Sequence, residues 1–146
     1  MPAQVLVSGQ RVGPSARKRA ASAPWSLTAM VCAPRALDRI LVLRQPWLGL
    51  LLDGSKTMEI RGAPYKPGRY WLGHKGIVFG LAVLGSAVRI QSVQQWEALR
   101  SQHRVDSPLL PYKKTFALPV LSVTHTRRVP YYHPRGAVGI VRYRRI

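Results

Sequence analysis

The chain is 146 residues long and 47% apolar, enough for one domain with a core and a tail. Its 23 Lys and Arg against 5 Asp and Glu leave a net charge of +18, which points to polyanionic partners, phosphates above all. The single cysteine, Cys32, excludes an intrachain disulfide and a cysteine-rich metal site, and no run nears the roughly 20 apolar residues of a membrane span.

Residues 1–36 hold no acid and are rich in Ala, Pro, Ser and Arg. With no apolar period lasting more than a turn, they are expected to be a disordered basic tail. An organellar transit peptide and an over-extended start, with Met30 just ahead of the domain, are the alternatives. A lone cysteine suits a reducing, cytoplasmic location. The tail does not account for the charge: from Leu37 onward there are 18 basic and 5 acidic residues, a net of +13.

The domain is expected over 37–146. Ile40–Leu43 is a short apolar run that reads as a buried strand. Pro46 fits the first helical position. Trp47, Leu50 and Leu51 then share one face of a helix over Trp47–Asp53, which Gly54 stops. From Thr57 the period becomes two: Met58 and Ile60 point one way, while Thr57, Glu59 and Arg61 point the other, with Lys56 at the mouth of that polar face.

Pro64, Pro67 and Gly68 mark a loop, and Arg69–Leu72 a strand. Ile77–Val88 reads as one long strand bent at Gly80 and Gly85. Ser92 is the N-cap of a second helix over Val93–Ser101, with Val93, Trp96 and Leu99 on one side. Arg104–Thr115 is a loop. Phe116–Val123 is a strand that Pro119 places near an edge. After a loop over Pro130–Gly136, Ala137–Tyr143 closes the chain as a strand. The fold class predicted is α+β, mainly β: a small β-barrel of five or six strands with two capping helices.

Residues 44–61, RQPWLGLLLDGSKTMEIR, concentrate the candidate chemistry. Gln45-Pro46-Trp47 followed by Gly54-x-Lys56-x-x-Glu59-x-Arg61 resembles the ASCH family, small domains of the PUA-like superfamily. Gly68 before a strand, Gly80-Leu81-Ala82-Val83 and the closing Pro130–Ala137 segment support the match, which covers Leu37 to the end. The resemblance implies a PUA-like β-barrel with a cleft beside the first helix, and RNA or nucleotide binding. It also implies a possible hydrolase: one branch removes the acyl group of N4-acetylated cytidine, and ribonuclease activity is known in another. The amidohydrolase branch carries Lys-x-x-Thr. Lys56 fits that pattern, but Glu59 stands where the Thr would be, which departs from that mechanism.

Two main readings follow, with a transcription-related interaction module as a weaker third. In the first, the domain binds RNA or a nucleotide, with Gln45, Trp47, Lys56, Thr57, Glu59, Arg61, Tyr132 and His133 around the ligand. Arg127, Arg128, Arg142, Arg144 and Arg145 then track phosphates. In the second, Lys56 and Glu59 are the catalytic pair of a hydrolase acting on an N4-acylated cytidine or on RNA. Each residue also has a plainer role open to it: Lys56 as a solvated turn lysine, Glu59 and Arg61 as a structural ion pair, Trp47 as core. If Lys56 and Glu59 are accessible site residues, their alanine variants should keep nearly full stability. His74, His103, His125 and His133 have no metal-ligand spacing. No metal and no cofactor is expected.

Overall fold

The computed structural model describes residues 33–146; the expected disorder of the tail falls, over 1–32, outside the described residues. The elements are β1 (Arg39–Val42), α1 (Trp47–Leu52), β2 (Met58–Arg61), β3 (Gly68–His74), β4 (Ile77–Leu84), β5 (Val88–Ile90), α2 (Val93–Ala98), α3 (Arg100–His103), β6 (Thr115–Pro130) and β7 (Ile140–Arg142). The strands form one curled half-barrel sheet in the order β2-β6-β4-β3-β1-β7, with β5 also on β6. β1 runs parallel to β3; the other pairs are antiparallel. The architecture is mainly β with short helices, as expected.

The run Ile40–Leu43 through β1 is apolar without alternation because both faces of the strand are covered. Leu41 and Leu43 join Tyr70, Leu72, Ala82, Leu84 and Leu118 against Leu48 and Leu51 of α1. Ile40 joins Trp71, Val78, Val141, Tyr131 and Tyr143 on the opposite face. A fully buried leucine in such a cluster contributes about 1.5–3 kcal/mol. A third cluster packs Trp96 of α2 on Ile60, Ile90 and Ala117, so the strand entering the candidate site is anchored by apolar contacts on its back.

Several expectations need correction. The run 77–88 is two strands, β4 and β5, giving seven strands instead of five or six. Pro119 is not at an edge: β6 is a continuous 16-residue strand, and Pro119 pairs with Met58. Its carbonyl accepts from Gly85 N–H in the gap between β4 and β5, so no ladder bond there needs the missing N–H. The second helix breaks at Leu99 into α2 and α3. Pro46 occupies the N-cap of α1 instead of its first turn. The buried residues of α1 are Leu48 and Leu51, not Trp47 and Leu50, because a six-residue helix lying across a sheet turns only one short stripe inward. The last strand starts at Ile140, since Gly139 adopts φ +80; a Cβ there would lie 2.9 Å from the Tyr65 hydroxyl. Gly80 does mark a bulge, with a register shift between Val78 and Gly80, and a second shift between Val83 and Leu84 falls beside the expected bend at Gly85. A Cβ at Gly80 would sit 2.8 Å from the Thr124 carbonyl oxygen.

Among the described residues no helix is long and apolar enough to cross a membrane, and no group of three or more His, Cys, Asp or Glu is gathered as a metal site would require.

Candidate functional site

Gly54, at φ +83, ends α1 in a conformation that costs glycine little. Lys56 N–H then donates back to the Leu50 carbonyl at 3.0 Å, and the chain enters β2 with the Lys56 side chain turned inward. Lys56 is therefore not at the mouth of the site but in its floor, with 1% of its side chain exposed. Its ammonium donates to the backbone carbonyl of His103 and lies 3.7 Å from Glu59 Oε1.

Glu59 is buried as well and bridges two cations. Arg61 Nε donates to Glu59 Oε2 at 2.7 Å, and Arg61 Nη2 donates to the Val42 carbonyl at 2.7 Å. The alternation of β2 places Glu59 and Arg61 on one face, two residues apart, so the carboxylate fixes the guanidinium against β1. Arg61 also lies 5.9 Å from the centroid of the Tyr65 ring. Burial pushes the Lys56 ammonium below its ordinary range, Glu59 acts against that shift, and the nearby positive charges of Arg61 and Arg104 add to it.

These side chains line a cleft of about 400 Å³. Its walls come from four separated segments: Leu43, Arg44 and Trp47 before and within α1, Lys56 with Glu59, Ile60 and Arg61, Val105 with Pro111 and Tyr112 in the long loop, and Val138-Gly139 before β7. Trp47, half-buried, faces this cleft and is absent from the three apolar clusters, contrary to the core role weighed for it. Tyr112 and Val138, 46% and 75% exposed, form an apolar rim. The cleft thus combines aromatic and aliphatic walls with Arg44, Lys56 and Arg61 against the single carboxylate of Glu59 among its lining residues.

Not every candidate is brought here. Gln45 is exposed and its Oε1 accepts from Gly49 N–H at 3.0 Å, so it braces α1. Thr57 precedes β2 with its side chain exposed; its backbone bonds Gln102 and Val120. It lies outside the cleft because the alternation begins only at Met58. Tyr132 is exposed and pairs by its N–H with the Arg144 carbonyl. His133 bonds the Tyr131 hydroxyl and the Ala137 carbonyl. Neither lines the cleft.

Arg127, Arg128, Arg142, Arg144 and Arg145 are all exposed. The Tyr132 N–H donates to the Arg144 carbonyl and so ties the segment after β6 to the segment after β7. Arg128 lies 5.0 Å over the Phe79 ring.

Arg44, Val105 and Tyr112 escaped the sequence reading. Tyr112 carried a signal: an aromatic residue directly before Lys113-Lys114, the composition of a base-stacking platform. Val105 and Val138 carried none.

No family model and no curated protein matches the chain. Among solved structures it is similar to the ASCH protein of Zymomonas mobilis, with 16% identity and a TM-score of 0.60 over 73% of this chain and 87% of that one. A serine-to-alanine variant of that protein aligns with 77% of this chain and 92% of its own at 16% identity and a TM-score of 0.59. A tyrosine-to-phenylalanine variant gives 73%, 90%, 16% and 0.59. The fold is that of an ASCH domain.

Proposed function

We propose that this ASCH-fold domain binds single-stranded RNA, with one nucleotide entering the cleft and the exposed arginines following the phosphates. The observation that carries this reading is the charge state of the cleft. Glu59 is already engaged by Arg61 and faces Lys56, so three cations meet one carboxylate and the cleft keeps surplus positive charge, Arg44 included, beside two walls able to stack on a base, Trp47 and Tyr112. An anionic, aromatic ligand suits that environment. The domain's net +13 extends the attraction beyond the cleft, which a free nucleoside would not need. RNA in the cytoplasm is the partner and place this reading implies, checked by cross-linking to RNA and fractionation of cells.

The test is fluorescence anisotropy of a labelled single-stranded RNA. Affinity should fall by orders of magnitude between roughly 50 and 200 mM salt. Replacing Arg142, Arg144 and Arg145 by Ala should flatten the slope with the fold intact. Absence of binding at low salt overturns the reading.

A second reading, hydrolysis of an N4-acylated cytidine, is favoured by one observation: Lys56 is buried, with its ammonium pushed below the ordinary range, as a lysine base requires. Water would add to the acyl carbonyl carbon, the C–N4 bond would break, and N4 would take a proton, leaving a carboxylic acid and cytidine. Lys56 would take the proton of water and return it to N4, with Glu59 holding the water. Release of cytidine from N4-acetylcytidine, lost in Lys56→Gln, supports this; retained RNA affinity with no turnover of that substrate or of RNA leaves binding alone.

A further inference from the structure

His103 is fully buried, and both of its ring nitrogens are engaged. Nδ1 accepts from Val105 N–H at 3.0 Å. Nε2 stands 3.0 Å from the Trp96 carbonyl and must therefore be the nitrogen that carries the proton. The imidazole stacks on the Trp96 indole with centroids 3.8 Å apart and planes 16° off parallel. In the same residue the backbone carbonyl accepts from the Lys56 ammonium. One neutral histidine thus holds two lining residues of the cleft, Lys56 through its carbonyl and Val105 through its ring.

We propose that His103 makes ligand binding in the cleft pH-dependent: neutral, it holds Val105 and Lys56 in place; protonated, it releases both and the cleft loses its ligand. This rests on the binding reading above and adds its regulation. The reason is the geometry of Nδ1. A proton there would face the Val105 N–H, donor against donor, in a site sealed from water. The Val105 segment must leave before the ring can be charged.

Charged groups surround the ring from each packed element. Lys56 approaches from the entry to β2, with Glu59 behind it. Glu97 on α2 is tied to Arg100 on α3 at 2.6 Å. Arg104 and Asp106 lie in the adjoining loop. Arg100 itself donates to the Val105 carbonyl, and to the Ser107 carbonyl at 2.7 Å. Trp96 Nε1 donates to the same Ser107 oxygen at 2.8 Å. Of the bonds that pin residues 105–107 to α2 and α3, the one on Nδ1 is made by an acceptor that a proton can take over on acidification. A charged His103 would also repel Arg100 and Lys56. Burial already holds the imidazole below its ordinary 6.5, with Lys56 and Arg100 adding to the effect and the Trp96 bond and Glu97 opposing it.

General electrostatics predicts the opposite trend. Acidification adds positive charge to a protein and should tighten binding to a polyanion. A loss of affinity on acidification is therefore diagnostic. The experiment is anisotropy with a single-stranded RNA carrying only internal phosphodiesters, which do not titrate here, from pH 8 to pH 5 at constant ionic strength. In parallel, NMR on the full chain follows the His103 imidazole and the Val105 amide. The expected result is an affinity that weakens by about tenfold per pH unit below the His103 pKa, with the Val105 amide shifting at the same midpoint. His103→Gln, which keeps a donor and an acceptor but does not titrate, should flatten the dependence. Affinity that rises steadily on acidification, or a Val105 amide indifferent to His103 titration, overturns the proposal. A ring carrying its proton on Nδ1 at neutral pH overturns it as well. If RNA does not bind at any pH, the binding reading fails; the NMR titration still decides whether His103 controls the wall of the cleft.

Discussion

Two groups of cations in this domain carry the same charge per side chain and have opposite surroundings. Lys56 and Arg61 are buried around Glu59, each held by a backbone carbonyl as well as the carboxylate. Arg127, Arg128, Arg142, Arg144 and Arg145 stand in solvent. A charge in water keeps its hydration and can be exchanged or deleted at little cost. A buried charge has given up hydration for a few fixed partners, so its position is set by the fold and its loss is felt throughout. On the binding reading proposed above, the first group would recognise one ligand geometry, while the second would follow phosphates without fixing a geometry. The sequence reading, which treated Lys56 and Glu59 as accessible and expected alanine there to leave stability nearly unchanged, is corrected by their burial.

Breaking the buried group should have the largest effect. Glu59→Ala leaves two cations without a counter-charge, and urea unfolding is expected to lose about 3–5 kcal/mol. A loss under 1 kcal/mol would mean that water reaches the site and that the two groups of cations do not differ in kind. Next come the cleft walls. Trp47→Ala and Tyr112→Ala should each weaken binding of single-stranded RNA by about 1–3 kcal/mol if they stack on bases. Both rings are partly exposed, so thermal unfolding should move little; a large stability loss with unchanged affinity would return Trp47 to the core.

A smaller effect, in pH, separates the groups without mutation. The folded chain resists protonating His103, whose pKa is lowered by burial, while the unfolded chain takes the proton near 6.5. Below about pH 6.5 the unfolded state binds more protons, so stability should fall as pH falls, down to the folded pKa. Lys56 acts in the same sense at the alkaline end. Its folded pKa is lowered from the ordinary 10.5, so stability should rise with pH between the folded value and 10.5. Urea midpoints across pH, in wild type and in His103→Gln, check both signs. The smallest effect belongs to the exposed arginines: any one of them changed to Ala should alter stability by no more than about 0.5 kcal/mol. The same change should reduce the salt slope of RNA binding by about 0.7 if that residue meets a phosphate.

Local chemistry determined much of what was legible in advance. Gly54 after an apolar helix and the switch to period two that follows it come from backbone sterics and side-chain alternation, which act within a few residues, although the strand itself starts at Met58 and not at Thr57. So does the pairing of Glu59 with Arg61. The mainly β character followed from Pro and Gly punctuation for the same reason. Tertiary structure decided what no short window contains. Whether Lys56 sits at the mouth or in the floor depends on His103, 47 positions away. Trp47 faces the cleft because Leu48 and Leu51 meet the sheet. Pro119 is tolerated inside the sheet because β4 and β5 leave a gap opposite it. Val105, Tyr112 and Val138 reach the cleft through loops whose path is set by packing at their ends. Burial is a property of all the neighbours at once, and for Lys56 and His103 burial sets the charge that the site can carry.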